Sequence, residues 1–64
     1  MKIEAESNVV ALASGCCEIE VTVKHVTPLG GSEKVFTFGP YVSAPKKIVR
    51  SAVRQAVVKF LTQI

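Results

Sequence analysis

Residues 43–64 have the sequence SAPKKIVRSAVRQAVVKFLTQI, and this stretch decides the fold. Ser43 is a good N-cap residue, Pro45 is tolerated in a first helical turn, and no later residue breaks a helix. The pattern predicts a helix from about residue 45 to 62, with Leu61 at the margin of its apolar face and Ile48 and Val58 outside it. At about 100° per residue, the members of that face are Val49, Ala52, Val53, Ala56, Val57, Phe60 and Ile64.

Upstream of this helix the apolar period changes to two residues. In the segment 16–26, Cys17, Ile19, Val21 and Val23 alternate with charged or polar residues, which predicts a strand with one face on a core and one in water. The β-rich segment 34–42 then forms a hairpin with it, through a loop at 27–33 that contains Pro and Gly-Gly. Gly39-Pro40 indicates a bulge or the end of regular pairing.

The first 15 residues allow two structures. We favour a strand covering part of residues 2–13, because KIEAE alternates and Val9-Val10 is β-branched. The alternative is a short helix capped by Ser7 and ended by Gly15. The favoured assignment gives one α+β domain over residues 1–64, in which a three-stranded antiparallel sheet precedes one helix (β-β-β-α).

Composition bounds the class of protein. Hydrophobic residues make up 48% of the chain, which supports a core and argues against disorder. No apolar run approaches the ~20 residues that span a bilayer, and the start MKIEAES lacks the apolar region of a signal peptide. A cytoplasmic protein with no membrane partner is therefore expected. Because 64 residues form a thin core and three strands leave open edges, a homodimer is also expected.

Charge is distributed unevenly along the chain. Residues 1–33 hold all five acids against two lysines, for a net charge of −3, whereas residues 34–64 hold six basic residues and no acid. Such asymmetry points to an anionic partner for the C-terminal half. The start of the helix adds to this, because free backbone N–H groups and a partial positive charge attract anions there. The sequence thus predicts that Lys46, Lys47, Arg50 and Arg54 contact nucleic-acid phosphates; the alternative is a basic face that is merely solvated.

The segment KKIVRSAVRQAVVKFL resembles the last helix of double-stranded RNA-binding domains. In that family, β-strands precede a helix that opens with a Lys-Lys-x-x-Lys pattern and continues with small apolar residues. Lys46, Lys47 and Arg50 take the basic positions, and EIEVTV and KVFTF resemble the strands. The resemblance covers residues 18–61 and implies RNA binding through the helix. The family's N-terminal helix is not matched in residues 1–15, Ile48 takes a position that is usually polar, and GPYVSAP replaces the family's glycine-rich approach to the basic motif.

For the other candidate residues, a structural or solvent-exposed position is favoured over a functional site. Cys16 and Cys17 could be a redox or metal pair, but adjacent strand residues point to opposite faces, so a buried Cys17 beside an exposed or edge Cys16 is favoured. His25 is expected to lie at a strand end rather than act as a general base. Glu18 and Glu20 fit a solvated sheet surface better than a catalytic carboxylate pair. Phe36, Phe38 and Tyr41, on or next to the second hairpin strand, could stack bases on an exposed face, although packing of at least one of Phe36 and Phe38 in the core against Phe60 is favoured.

These observations favour a small non-enzymatic module that binds nucleic acid, with no metal and no cofactor. The alternative is a protein-interaction module, either an inhibitor, an adaptor or a homodimer, of the kind that phages encode as short free-standing chains. Such a module would act through a sheet edge or through a face formed by Ile48 and Val58.

Overall fold

The computed structural model describes residues 2–63 and has the predicted β-β-β-α order. Its strands are β1 (Lys2–Ala11), β2 (Cys17–Thr27) and β3 (Gly30–Tyr41), and its helix is α1 (Lys46–Gln63). The strands form one antiparallel sheet in the order β1-β2-β3. The α+β fold is therefore confirmed, and the N-terminal segment is a strand rather than the alternative short helix.

The core lies between β2 and α1. Ile19, Val21 and Val23 are fully buried on the side of β2 that faces the helix. Small side chains on α1 allow the helix to approach this strand closely. The buried residues of α1 are Ala52, Ala56 and Phe60. Half-buried apolar side chains surround this centre, namely Ile3, Phe36, Phe38, Tyr41, Ala44, Ile48, Val49, Val53 and Val57.

The helix starts at Lys46, in agreement with the predicted start near residue 45, but its capping residue differs from the prediction. The carbonyl of Pro45 accepts hydrogen bonds from the N–H groups of Ile48 (3.0 Å) and Val49 (3.1 Å), so Pro45 occupies the cap position. The prediction that Ser43 caps the helix was therefore wrong. The reason is steric: a cap at Ser43 would require helical geometry at Ala44, and a residue that precedes proline disfavours that geometry.

Ile48 was also placed wrongly. It is half-buried and packs against the core instead of lying outside the apolar face. Side chains four residues apart lie on the same side of a helix, and Ile48 extends the buried row of Ala52, Ala56 and Phe60 by one turn. Val58 is 56% exposed, as expected. Ile48 and Val58 consequently do not form a common surface. Ile64, assigned to the same apolar face, lies outside the described residues.

The hairpin between β2 and β3 is tighter than the predicted loop at 27–33. Only Pro28 and Leu29 lie outside the strands, and Thr27 pairs with Gly30. Gly31 belongs to the ladder, opposite Val26. A Cβ atom at position 31 would collide with the backbone carbonyl of His25, so the absence of a side chain lets the two strands approach.

A bulge interrupts β3 where the sequence indicated one. Ile19 pairs with Phe38 and Cys17 pairs with Tyr41, so two residues of β3 lie opposite the single residue Glu18. These two residues are Gly39, which has a φ of 119°, and Pro40. A left-handed conformation of this kind is typical of glycine at a bulge.

Candidate nucleic-acid interface

All five glutamates of the chain lie on the open face of the sheet, which is the side turned away from α1. Side chains alternate along each strand, and these residues alternate with the ones that face the helix. The open face also holds both lysines of the N-terminal half, so five acids and two bases give it a net charge of −3. Its charged members are Lys2, Glu4, Glu6, Glu18, Glu20, Lys24 and Glu33.

The remaining six basic residues lie on the helix side of the sheet. Lys34 belongs to β3, and the other five belong to α1, which contains no acid. The ion pairs within residues 2–63 are Lys2–Glu4 (3.3 Å) and Lys24–Glu33 (3.9 Å), and both lie on the open face. The charge difference between the two halves of the sequence has become a difference between two faces of the molecule.

A shallow depression on α1 brings three of the four predicted site residues together. It has a volume of about 540 Å³ and is lined by Lys47, Arg50, Ser51 and Arg54, which we call the basic surface. Their spacing of three and four residues places them on the same side of the helix, and all four are exposed. Lys46 is exposed too, but it lies outside the lining of the depression, one turn before Arg50.

Ser51 is a member of the basic surface that the sequence did not single out. Its Oγ accepts a hydrogen bond from Gln55 Nε2 at 3.2 Å, which leaves the hydroxyl hydrogen able to donate to another acceptor. Its spacing in the sequence could have identified it, since Ser51 follows Lys47 by four residues and precedes Arg54 by three. A search for hydrogen-bond donors of every kind would have included it, whereas a search for charge alone did not.

The start of α1 adds backbone donors close to these side chains. The first N–H groups bonded within the helix are those of Ile48 and Val49, and Pro45 has no N–H to offer. The N–H groups of Lys46 and Lys47 precede them and point out of the helix start, together with the positive end of the macrodipole. The first turn contains no acid that would compete for these donors.

Two further lysines on the helix side contact aromatic rings. Lys34 Nζ lies 5.6 Å from the ring centroid of Phe36, and Lys59 Nζ lies 5.4 Å from that of Phe38. Lys34 also donates a hydrogen bond to Gln63 Oε1. Both rings are half-buried and pack against the core, in agreement with the favoured structural role rather than with base stacking.

The surroundings of the remaining candidate residues fit structural roles. Cys16 and Cys17 are free thiols, both half-buried, and Cys17 Sγ donates to the carbonyl of Tyr41 at 3.5 Å. His25 lies near the end of β2, as expected. In the part of the chain from residue 2 to 63, no three or more His, Cys, Asp or Glu side chains form a group able to hold a metal ion. Over the same residues, no helix is long and apolar enough to cross a membrane.

No protein-family model matches the chain, and searches of curated proteins and of solved structures find no significant match. The resemblance of residues 18–61 to double-stranded RNA-binding domains therefore remains an expectation from the residues that carry it.

Proposed function

We propose that this protein is a small non-enzymatic module that binds the phosphate backbone of nucleic acid through α1. The observation that carries the proposal is the separation of charge between two faces. The basic surface and Lys46 project from a helix without acids, and every glutamate lies on the opposite side of the sheet. A polyanion can therefore approach α1 without meeting a carboxylate.

The donors at this end of the helix suit a phosphate. Ammonium and guanidinium groups supply charge, Arg50 and Arg54 can form paired hydrogen bonds, and Ser51 supplies a neutral donor. The N–H groups of Lys46 and Lys47 offer the backbone contacts that helix starts commonly make with phosphate. Contacts of this kind fix position and affinity but do not select a sequence.

The basic surface spans only a few turns of one helix. Recognition of an RNA duplex by shape requires contacts across two successive minor grooves, which one helix end cannot reach. We therefore propose backbone binding without a strong preference for duplex RNA. Residues 18–61 have the order of strands and helix that the family resemblance implies, and this supports the use of α1.

The test is a binding titration with single- and double-stranded DNA and RNA at two salt concentrations. It compares the native protein with the double variant Lys46→Glu/Lys47→Glu. We expect this variant to lose binding but to keep its fold, because acids near a helix N-terminus are favourable. The matched control is Lys2→Glu/Lys24→Glu on the open face, since both variants change the net charge from +3 to −1. Because Lys24 lies opposite Glu4 and Glu33, circular dichroism first checks that this control is folded. If it is not, the pair Lys46→Gln/Lys47→Gln and Lys2→Gln/Lys24→Gln makes the same comparison, at a net charge of +1 for each.

The control distinguishes binding at a local site on α1 from association that depends only on the net charge of the protein. Retained binding in the open-face variant, with loss in the helix variant, supports the proposal. Equal loss in both variants means that net charge alone drives association and that α1 is not the site. If the native protein binds none of the four nucleic acids at low salt, the proposal fails and α1 carries only a solvated basic face.

A protein-interaction module is the second candidate. The free edge of β1 favours it, because unpaired strand edges are templates for another chain. Salt distinguishes the two functions: phosphate binding weakens steeply as salt rises, whereas an interface built on strand pairing and apolar contacts does not.

A further inference from the structure

The two edges of the sheet differ in how well they are protected against pairing with a further strand. β3 contains the bulge at Gly39-Pro40 and places Lys34 on its helix-facing side. A bulge, a proline and an inward-pointing charge are devices by which natural sheets prevent another strand from adding to an edge. The β3 edge is therefore protected against the addition of another strand.

The β1 edge has none of these devices. It pairs with β2 over ten residues without a register shift, and it contains neither Pro nor Gly. Its helix-facing side chains are all uncharged, and they are Ile3, Ala5, Ser7, Val9 and Ala11. The outer N–H and C=O groups of β1 thus form a regular ladder edge, and its charged side chains, Lys2, Glu4 and Glu6, all lie on the open face.

The helix layer also leaves β1 uncovered. Ala5, Ser7 and Ala11 are exposed, and Val9 is 48% exposed, although all four face the side on which α1 packs. Three strands are about 14 Å wide, more than the ~10 Å that one helix covers.

The flank of α1 nearest to β1 is apolar. Lys59 and Gln63 contact β3, so they mark the β3 side of the helix. Val53 and Val57 lie on the opposite flank, at about 100° per residue, and both are half-buried. An apolar strip therefore runs between the helix and the free edge.

We propose that a second copy of this chain occupies the strip and the edge, through antiparallel pairing of the two β1 strands. The dimer has a two-fold axis at Ser7 and a continuous six-stranded sheet, with both helices on one side. On that side Ser7 faces Ser7, and Ala5 of one copy faces Val9 of the other. On the open face, Glu6 of one copy faces Asn8 of the other.

The charges of β1 and the length of the paired segment together select this register: among the axes that keep glutamates apart, the one at Ser7 pairs the longest segment, residues 3–11. An axis at Glu6 would place two glutamates directly opposite each other, and an axis at Ala5 would pair Glu4 with Glu6. Like charges in such cross-strand positions are destabilising. With the axis at Ser7, Glu4 faces Val10 and no acid faces an acid. Self-pairing of β1 is thus compatible with its own charge pattern, which is why we assign a second copy rather than a foreign strand.

A second copy brings a matching surface to this contact. A ten-residue strand is about 34 Å long, and an axis at Ser7 pairs residues 3–11 of one copy with the same residues of the other in reverse order. The exposed helix-facing side chains of β1 in the two copies then lie against each other. This inference does not depend on nucleic-acid binding, and either can fail alone.

Light scattering at high protein concentration tests the proposal. We expect a mass twice that of the 6.9 kDa chain for the native protein. Ser7→Lys places a charge on the axis and should give a monomer with an unchanged circular dichroism spectrum. The matched control Ser32→Lys makes the same change on the helix-facing side of β3 and should remain a dimer.

Three results would overturn the proposal: a monomeric native protein, a dimeric Ser7→Lys variant, or loss of the dimer in Ser32→Lys alone. Isotope-filtered nuclear Overhauser spectra of a mixed-label native sample test the register without any variant. Contacts between Ala5 of one copy and Val9 of the other are expected. A dimer that lacks them is assembled differently.

Discussion

Lys59 Nζ lies 5.4 Å from the centroid of the Phe38 ring, and this contact joins α1 to the edge strand β3. Phe38 pairs with the fully buried Ile19 of β2. The lysine therefore covers the outer side of a ring that packs against the core. Composition alone would assign Lys59 to the charged surface, but this contact gives it a structural role.

Replacement of Lys59 by Met should lower the free energy of unfolding by about 0.5–1 kcal/mol, the usual worth of an exposed cation–π contact. Met keeps a long apolar side chain over the ring, so the decrease in stability measures the contribution of the positive charge alone. Urea denaturation measures it, and Lys59→Arg should retain the native value. An unchanged midpoint for the Met variant would show that the cation contributes nothing there.

Ala56→Asp should unfold the domain. Ala56 is fully buried, and an ionised carboxylate placed there has no partner, which costs several kcal/mol in a small domain of marginal stability. Arg54→Asp, two residues earlier on the exposed side, should melt cooperatively, and Val53→Asp should be less damaging than Ala56→Asp because Val53 is only half-buried. Thermal melts with the opposite order would mean that the buried face of α1 is assigned wrongly.

Gly31→Ala should destabilise the hairpin by about 1–3 kcal/mol, the usual cost of forcing an atom into occupied space. The added methyl group would collide with the backbone carbonyl of His25, which cannot move without disturbing the pairing of β2 with β3. Gly15→Ala is the comparison, because no atom lies within 4 Å of a Cβ at that position and only its φ of 91° opposes the change. Denaturation midpoints that rank Gly15→Ala as the more damaging change would contradict the close approach at Gly31.

Binding to nucleic acid should weaken with salt, with a slope of log K against log salt of about −2 to −4, corresponding to about three or four neutralised phosphates. Arg54→Ala should make the slope shallower by about 1, because one phosphate contact is lost. Lys24→Ala, on the open face, should leave the slope unchanged. A slope that responds equally to both variants would place the contact elsewhere.

The sequence predicted the helix and the central strand because each combines a clear period with an unambiguous core face. Ile19, Val21 and Val23 alternate with charged residues, and α1 has no residue that breaks it. The bulge at Gly39-Pro40 was also predictable, since proline cannot donate to a ladder. Three of the four predicted site residues share one depression because helical spacing alone places them together.

The errors arose where tertiary contacts outweigh local preference. Gly30-Gly31 has the composition of a loop, yet Gly31 is needed inside the ladder because another residue would strike β2. Ile48 lay outside the predicted apolar face, but the sheet contacts α1 along the row of Ala52, Ala56 and Phe60, and Ile48 precedes that row by one turn. The failure of Ser43 as a cap was predictable from the proline two residues later.

The separation of acidic and basic side chains on opposite faces gives the molecule a permanent dipole moment perpendicular to the sheet. In the field of any polyanion such a molecule rotates before contact, so that α1 leads and the glutamates trail. Encounters then begin in one orientation instead of many, which raises the rate of productive association. In the proposed complex with nucleic acid, the acidic face of the sheet would repel a second polyanion, so that only one could bind at a time.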